Sequence, residues 1–422
     1  MSSIAKTLHF GKALSYTSAN LMNTVATILI LPTLAAVSAP LGVVGAKALF
    51  ASQIATVLAT YSFPIVTPRT LAGESAARAA RLLRGILSYQ LAVILAAGLF
   101  VVHLTPTTSC ALLVALSTYA FGVGPVLQWQ WYHLSRPSSG LQLKLLVGSR
   151  LLLLGAELVR TIDTPTIARC WPFVPTLALI SLLPAWPTLC AAFGARPDAT
   201  ADSDTKTPPS LLREFKAGVH LFTASLLSSI YLLGPSALTS IAAPARLVEV
   251  QQFDRLRNAL SNMVSMALST AYPLLIGKTH AELYGRLSKA LRMLIGPSLA
   301  VALVLIGLGL ANVFPASGLA AAMHTSLRAL AFALACGLAA CASNYVSLTF
   351  LHPLSNDHRY QLAIIYGAIG FVLLAGGLFL FRVESMPDGA MAAAALAEIT
   401  VLLALLKTAR DVSREYGARG AS

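Results

Sequence analysis

An all-α polytopic membrane protein, with about twelve transmembrane helices in two six-helix lobes, is the fold class this sequence predicts. Three observations predict it. Of the 422 residues 56% are hydrophobic and 11% charged, whereas a soluble domain carries roughly a quarter charged residues; the mean hydropathy is +0.74. Apolar runs of about 20 residues, long enough to cross the hydrocarbon, follow one another with short polar breaks. One longer polar stretch, 194–216, rich in Pro, Asp, Thr and Lys, falls near the midpoint and divides two similar halves. The predicted organisation is therefore an N-terminal lobe over 1–194, a cytoplasmic linker over 195–216, a C-terminal lobe over 217–407 and a cytoplasmic tail over 408–422.

In chain order the first lobe predicts helices at 13–37, 41–66, 86–103, 110–131, 141–158 and 170–193. The first is too long for the apolar region of a signal peptide and carries Asn20 and Asn23, so it reads as an uncleaved span. The second lobe predicts 217–240, 245–276, 291–313, 319–351, 361–381 and 390–406. Lys and Arg gather in alternate loops: Lys6 and Lys12, Arg69 to Arg84, Arg136 and Lys144, the linker, Lys278 to Arg292, and Lys407 to Arg419. The loops at 105–109 and 315–318 carry no charge. The positive-inside rule places both termini and the linker in the cytoplasm. The net charge of +14 thus marks topology beside anionic lipid and not nucleic-acid binding.

The halves also repeat. Ser18 to Asn23 aligns with Thr223 to Ser228, each followed by a mid-helix proline, Pro32 or Pro235, and the second and eighth helices both end in Tyr and Pro. Six spans per half make the repeat parallel, as in transporters whose two bundles flank a substrate path. Catalytic signatures are missing: there is no HExxH or GxSxG, and Gly277-Lys278-Thr279 lacks the first glycine and preceding strand of a phosphate loop. Cys110, Cys170, Cys190, Cys336 and Cys341 form no CxxC and read as packing residues, so neither metal nor cofactor is expected.

Charges inside apolar helices carry the functional signal, because a mid-span Arg costs roughly 2.5–3.5 kcal/mol on the insertion scale. In the fifth helix Arg150 and Glu157 lie seven residues apart on one face, either as a structural pair or beside water. The eighth helix is polar from Arg246 through Glu249, Asp254 and Arg255 to Arg257, then apolar to Tyr272. Its polar half either lines a wet, basic cleft between the lobes or extends beyond the bilayer. Lys47 and Arg328 add positive charge, while carboxylates are few: Glu157, Glu249, Asp254 and a Glu398 that reads as structural. That balance favours an anionic substrate.

Three segments carry a family resemblance: Leu31-Pro32-Thr33-Leu34 with Tyr61-Ser62-Phe63 and Thr67 to Ala72; Gly124 to Trp131, which holds Gln128 and Trp129; and Phe222 to Tyr231 leading into Ala245-Arg246-Leu247. Together they resemble the polysaccharide repeat-unit flippases of the O-antigen and exopolysaccharide pathways, within the multidrug/oligosaccharidyl-lipid/polysaccharide exporter superfamily. The sequence departs from that pattern where Tyr132-His133-Leu134 follow the Trp and Gln segment instead of an acidic residue. The resemblance implies a substrate, undecaprenyl-diphosphate-linked oligosaccharide, and as further partners membrane lipid and the polysaccharide polymerase and chain-length proteins. Arg246, Arg255 and Arg257, then Arg150, Lys47 and Arg328, are the expected contacts to diphosphate and sugar, with Gln128 and Trp129 as sugar contacts. Glu157, Asp254, Pro32 and Pro235 are expected to serve structure or coupling. A cation-coupled multidrug exporter of the same superfamily is the alternative; it calls for a carboxylate pair deep in one lobe, which the sequence does not display. A peptidoglycan-precursor flippase typically adds two helices, a membrane glycosyltransferase needs a long outer loop, and a scaffold gives no reason for arginines inside spans.

Overall fold

The computed structural model describes residues 39–71, 76–105, 109–129, 132, 140–141, 144–149, 151–152, 173–193, 210–275, 278–310, 319–380 and 386–419. Every regular element among them is helical. Eight of the helical segments are long and apolar enough to cross a membrane, so the chain is an all-α polytopic membrane protein. It divides into two compact units, the first ending at Phe222 and the second beginning at Thr223.

The first unit contains α1 (Ala39–Thr60), α2 (Phe63–Leu71), α3 (Ala76–Leu104), α4 (Ser109–Val123), α5 (Phe173–Leu182) and α6 (Trp186–Phe193). Small side chains set the α1 packing: Ala48, Ala55 and Ala59 are buried against Ile94, Tyr119 and Val123, which lets helix backbones approach where no water drives them together. The single span predicted at 41–66 is broken after Thr60, where Tyr61 takes φ 48, a left-handed conformation uncommon for a residue with a Cβ. Its ring holds it there by stacking on Phe222 at 4.2 Å, while its hydroxyl donates to the Phe215 carbonyl at 2.8 Å. A second break follows α4, where a 3-10 turn at Gly124–Gln128 with Pro125 leads to Trp129 at φ 39.

Helix α7 (Leu211–Ala242) begins earlier than the sequence predicts, so residues 211–216 of the expected linker are helical; residues 195–209 of it lie outside the described residues. The reason is Glu214. It sits in the first turn of α7, where the helix dipole favours an acid, is 1% exposed, and accepts from the Thr67 and Thr70 hydroxyls at 2.9 and 2.6 Å. Composition marked the segment as polar, yet its polar group is used inward.

From Thr223 the second unit takes the rest of α7, then α8 (Leu247–Leu275), α9 (His280–Ala290), α10 (Gly296–Leu310), α11 (Leu319–Val346), α12 (Asp357–Leu380) and α13 (Met386–Arg419). The basic loop expected before residue 291 is helical from His280. Thr279 caps it by accepting from the Glu282 amide, the Thr-x-x-Glu pattern of a capping box. π-helical turns at Leu291–Ile295 and Ser347–Leu351 extend α9 and α11. The expected tail is also helix as far as Arg419, because Ala409 and Val412 join the core that Leu402 and Leu405 begin. Gly234 lets α7 and α12 meet: a Cβ there would collide with the Phe371 ring.

Candidate functional site

Helix α7 holds Pro235 within its length. Proline has no amide hydrogen, so the Tyr231 carbonyl one turn earlier loses its helical donor and the turn is loosened. Helix α8 engages both sides of that proline. Before it, Arg257 Nη2 donates to the Leu232 carbonyl at 2.7 Å. After it, the Ser236 hydroxyl donates to Asp254 Oδ2. Asp254 and Arg257 are themselves joined, Oδ1 to Nη1 at 3.0 Å, and are 0% and 1% exposed. An i, i+3 pair on α8 thus spans the proline of α7.

Arg257 of the pair reaches a polar cavity of about 90 Å³ lined by residues of α7, α8, α11, α12 and α13, with room for a few waters. Arg257 and Glu398 both line it, with Tyr231, Tyr360, Ser343 and Asn344. Glu398 is 4% exposed. Asn344 ties α11 to α8 by donating to the Ser261 and Ser265 hydroxyls at 2.9 and 2.7 Å. The Ser343 and Tyr231 hydroxyls face the Glu398 carboxylate there. A guanidinium and two carboxylates, Asp254 and Glu398, are therefore buried in one membrane-embedded unit, where each charge is costly unless compensated.

The other sequence-predicted residues fall in different surroundings. Arg246 closes a 3-10 turn before α8 and is held by Glu249 at 3.2 Å and by Asp388 of α13 at 3.0 Å. Arg328 of α11 donates to the Gly309 carbonyl at 3.1 Å, closing the end of α10, a favourable use of a cation at a helix C-terminus. Arg255 Nε and Nη2 are buried with no hydrogen-bond partner among the described residues, and so are both amide atoms of Gln251 one turn earlier. In the first unit Lys47 is exposed on α1. Gln128 is buried and donates to the Ser181 carbonyl at 3.1 Å; Trp129 is 1% exposed and its indole N–H donates to Gln90 Oε1 at 2.7 Å. Both are built into that unit's interior. Arg150, Glu157 and Pro32 lie outside the described residues. Sequence reasoning missed Ser236, Asp388 and the inward burial of Glu398. Only Glu398 had a visible signal, a lone acid in the Ala- and Leu-rich run of the last helix.

No family model and no curated protein matches the chain. Solved structures do. The class they define is a two-unit helical membrane fold: the chain resembles a eukaryotic MATE transporter, AtDTX14, at 12% identity over 98% of this chain and 99% of that one, TM-score 0.51, and a MATE protein in complex with MaL6 at 11% identity over 96% and 97%, TM-score 0.56. It also resembles the lipid II flippase MurJ in an inward closed conformation, at 13% identity over 94% of this chain and 87% of that one, TM-score 0.60. The fold these three proteins share is the fold of this chain.

Proposed function

We propose that the chain is a flippase for a lipid-linked oligosaccharide, carrying undecaprenyl-diphosphate-linked polysaccharide repeat units across the inner membrane by alternating access. The observation that carries the anionic headgroup is the unpartnered polar edge of α8: the Arg255 guanidinium and the Gln251 amide, one turn apart, present buried donors that nothing among the described residues satisfies. Asp254 attracts this guanidinium but is already bonded to Ser236 and paired with Arg257, and a diphosphate with adjoining sugar hydroxyls supplies both an anion and acceptors. Likeness over most of the chain to a protein named as a lipid II flippase supports a lipid-linked cargo. The Asp254 and Arg257 clamp across Pro235 holds one bend of α7, and its rearrangement accompanies the conformational step.

Replacing Arg255 by Ala and by Lys, in a strain that depends on this chain for surface polysaccharide, tests the reading. Expected is loss of surface polysaccharide with accumulation of the lipid-linked intermediate in the cytoplasmic leaflet, at normal membrane levels of the protein. Normal export by Arg255→Ala overturns it.

One observation favours the second reading, a cation-coupled exporter. The carboxylate pair it calls for, hidden in the sequence because its members lie 144 residues apart, is present as Asp254 and Glu398 around Arg257. Sodium- or proton-dependent efflux of organic cations by vesicles holding the purified chain, abolished in Glu398→Gln, would decide for it.

A further inference from the structure

The second half of α9 and the π-helical turn that continues it carry Arg286, Lys289 and Arg292 at successive i, i+3 spacings. Over six residues the helix rises about 9 Å and each step turns the side chain by about 60°, so the three cations form a short oblique ladder. All three are exposed. None has an acidic partner or a side-chain hydrogen bond among the described residues; the nearby acid Glu282 is taken by Lys278 at 3.3 Å. Neighbouring like charges on a helix repel unless something neutralises them.

What lies directly beyond the ladder is apolar and uncovered: Leu291, Met293 and Leu294 are 42%, 71% and 43% exposed. The element is fixed, not a swinging loop. Leu283, Leu287 and Ala290 are buried in the second unit's core, and the His280 ring stacks on Tyr416 of α13 at 4.7 Å. The charge-to-apolar order matches an amphiphile with a phosphate above hydrocarbon, of which anionic phospholipid is the abundant form in a bilayer. The same i, i+3 spacing recurs at Arg78, Arg81 and Arg84 on α3, yet there the following residues Leu82, Leu83, Ile86 and Leu87 are buried, so the apolar half of such a site is missing.

We infer that Arg286, Lys289 and Arg292 bind the headgroup phosphate of an anionic phospholipid, whose acyl chains lie on Leu291, Met293 and Leu294. This inference rests only on the chain being membrane-embedded, and it stands or falls independently of what the protein transports.

The test uses the purified full chain in mild detergent, titrated with phosphatidylglycerol or with phosphatidylcholine, and counts retained lipids by native mass spectrometry. The wild type should retain phosphatidylglycerol in preference to phosphatidylcholine. Arg286→Gln with Lys289→Gln and Arg292→Gln should weaken that retention on the order of 100-fold, three cations' worth of headgroup attraction. A control with Lys407→Gln, Arg410→Gln and Arg414→Gln removes equal charge from α13 and should retain the lipid. Met293→Asp, which keeps the ladder but spoils the apolar half, should also lose it. Thermal unfolding in lipid-free detergent confirms that each variant is folded, and Arg292→Gln alone, with a smaller loss, serves if the triple variant is not. Equal retention by the ladder variant and the wild type, equal loss in the α13 control, or displacement of the lipid by millimolar inorganic phosphate would overturn the inference.

Discussion

The two units solve the burial of polar groups differently. In the first, the described interior is satisfied mainly by neutral bonds: Trp129 to Gln90, Gln128 to Ser181, Tyr89 to the Leu58 carbonyl. Its buried charged side chain among the described residues is Glu214, placed at a helix start and held by two threonines. The second unit buries Asp254, Arg257, Asp388 and Glu398. Neutral bonds fix a shape at little risk, whereas buried ions fix a shape only while every partner is present. The difference teaches where a change of protonation or of bound charge can alter structure: in the second unit.

The sharpest way to break this comparison is Asp254→Ala. It leaves Arg257 buried without its carboxylate and frees Ser236, and a cost of about 3–5 kcal/mol is expected, read as a fall in thermal unfolding temperature in detergent. Next is Trp129→Phe in the first unit, which keeps the ring but strands Gln90 Oε1; about 1–3 kcal/mol is expected. If Trp129→Phe proves as damaging as Asp254→Ala, the contrast between the units is lost. Arg359→Ala removes an exposed pair with Glu415 and should change stability by at most about 1 kcal/mol. The smallest stability effect is expected from Asp254→Leu combined with Arg257→Met. Removing a whole buried pair in favour of apolar groups is often neutral or stabilising, so the double variant should unfold near the wild-type temperature while failing in the polysaccharide export assay. Wild-type export by that variant would mean that the clamp across Pro235 is structural only.

Much of the fold was legible because span length and hydropathy are local properties. The polar half of α8 announced itself, since Asp254, Arg255 and Arg257 interrupt an otherwise spanning helix, and Pro235 stood out in α7. What those groups bind was not legible. Ser236 meets Asp254 across two helices, Arg246 meets Asp388 at a separation of 142 residues, and helical periodicity says nothing of partners so distant. The expectation of a basic cleft came from counting cations without their counter-ions. Arg246 and Arg257 are paired and Arg328 closes a helix end, which leaves Arg255 as the arginine of α8 still lacking a hydrogen-bond partner among the described residues. The carboxylate pair went unseen for the same reason, as did the helical start of α7, whose Glu214 looked like linker until Thr67 and Thr70 were placed beside it.

The polarity of α8 bears on how the chain is made. Leu247–Leu275 is absent from the segments apolar enough to span on their own, and a charged residue near a helix centre costs the translocon roughly 2.5–3.5 kcal/mol. Emerging from the ribosome alone, this helix has no reason to leave the aqueous channel for lipid. Its partner, however, has just been synthesised: α7 offers the Leu232 carbonyl and Ser236 hydroxyl before α8 arrives. The contacts that satisfy α8 in the finished protein are thus the ones that would lower the cost of its insertion, and a hairpin of α7 and α8 should insert more readily than α8 alone.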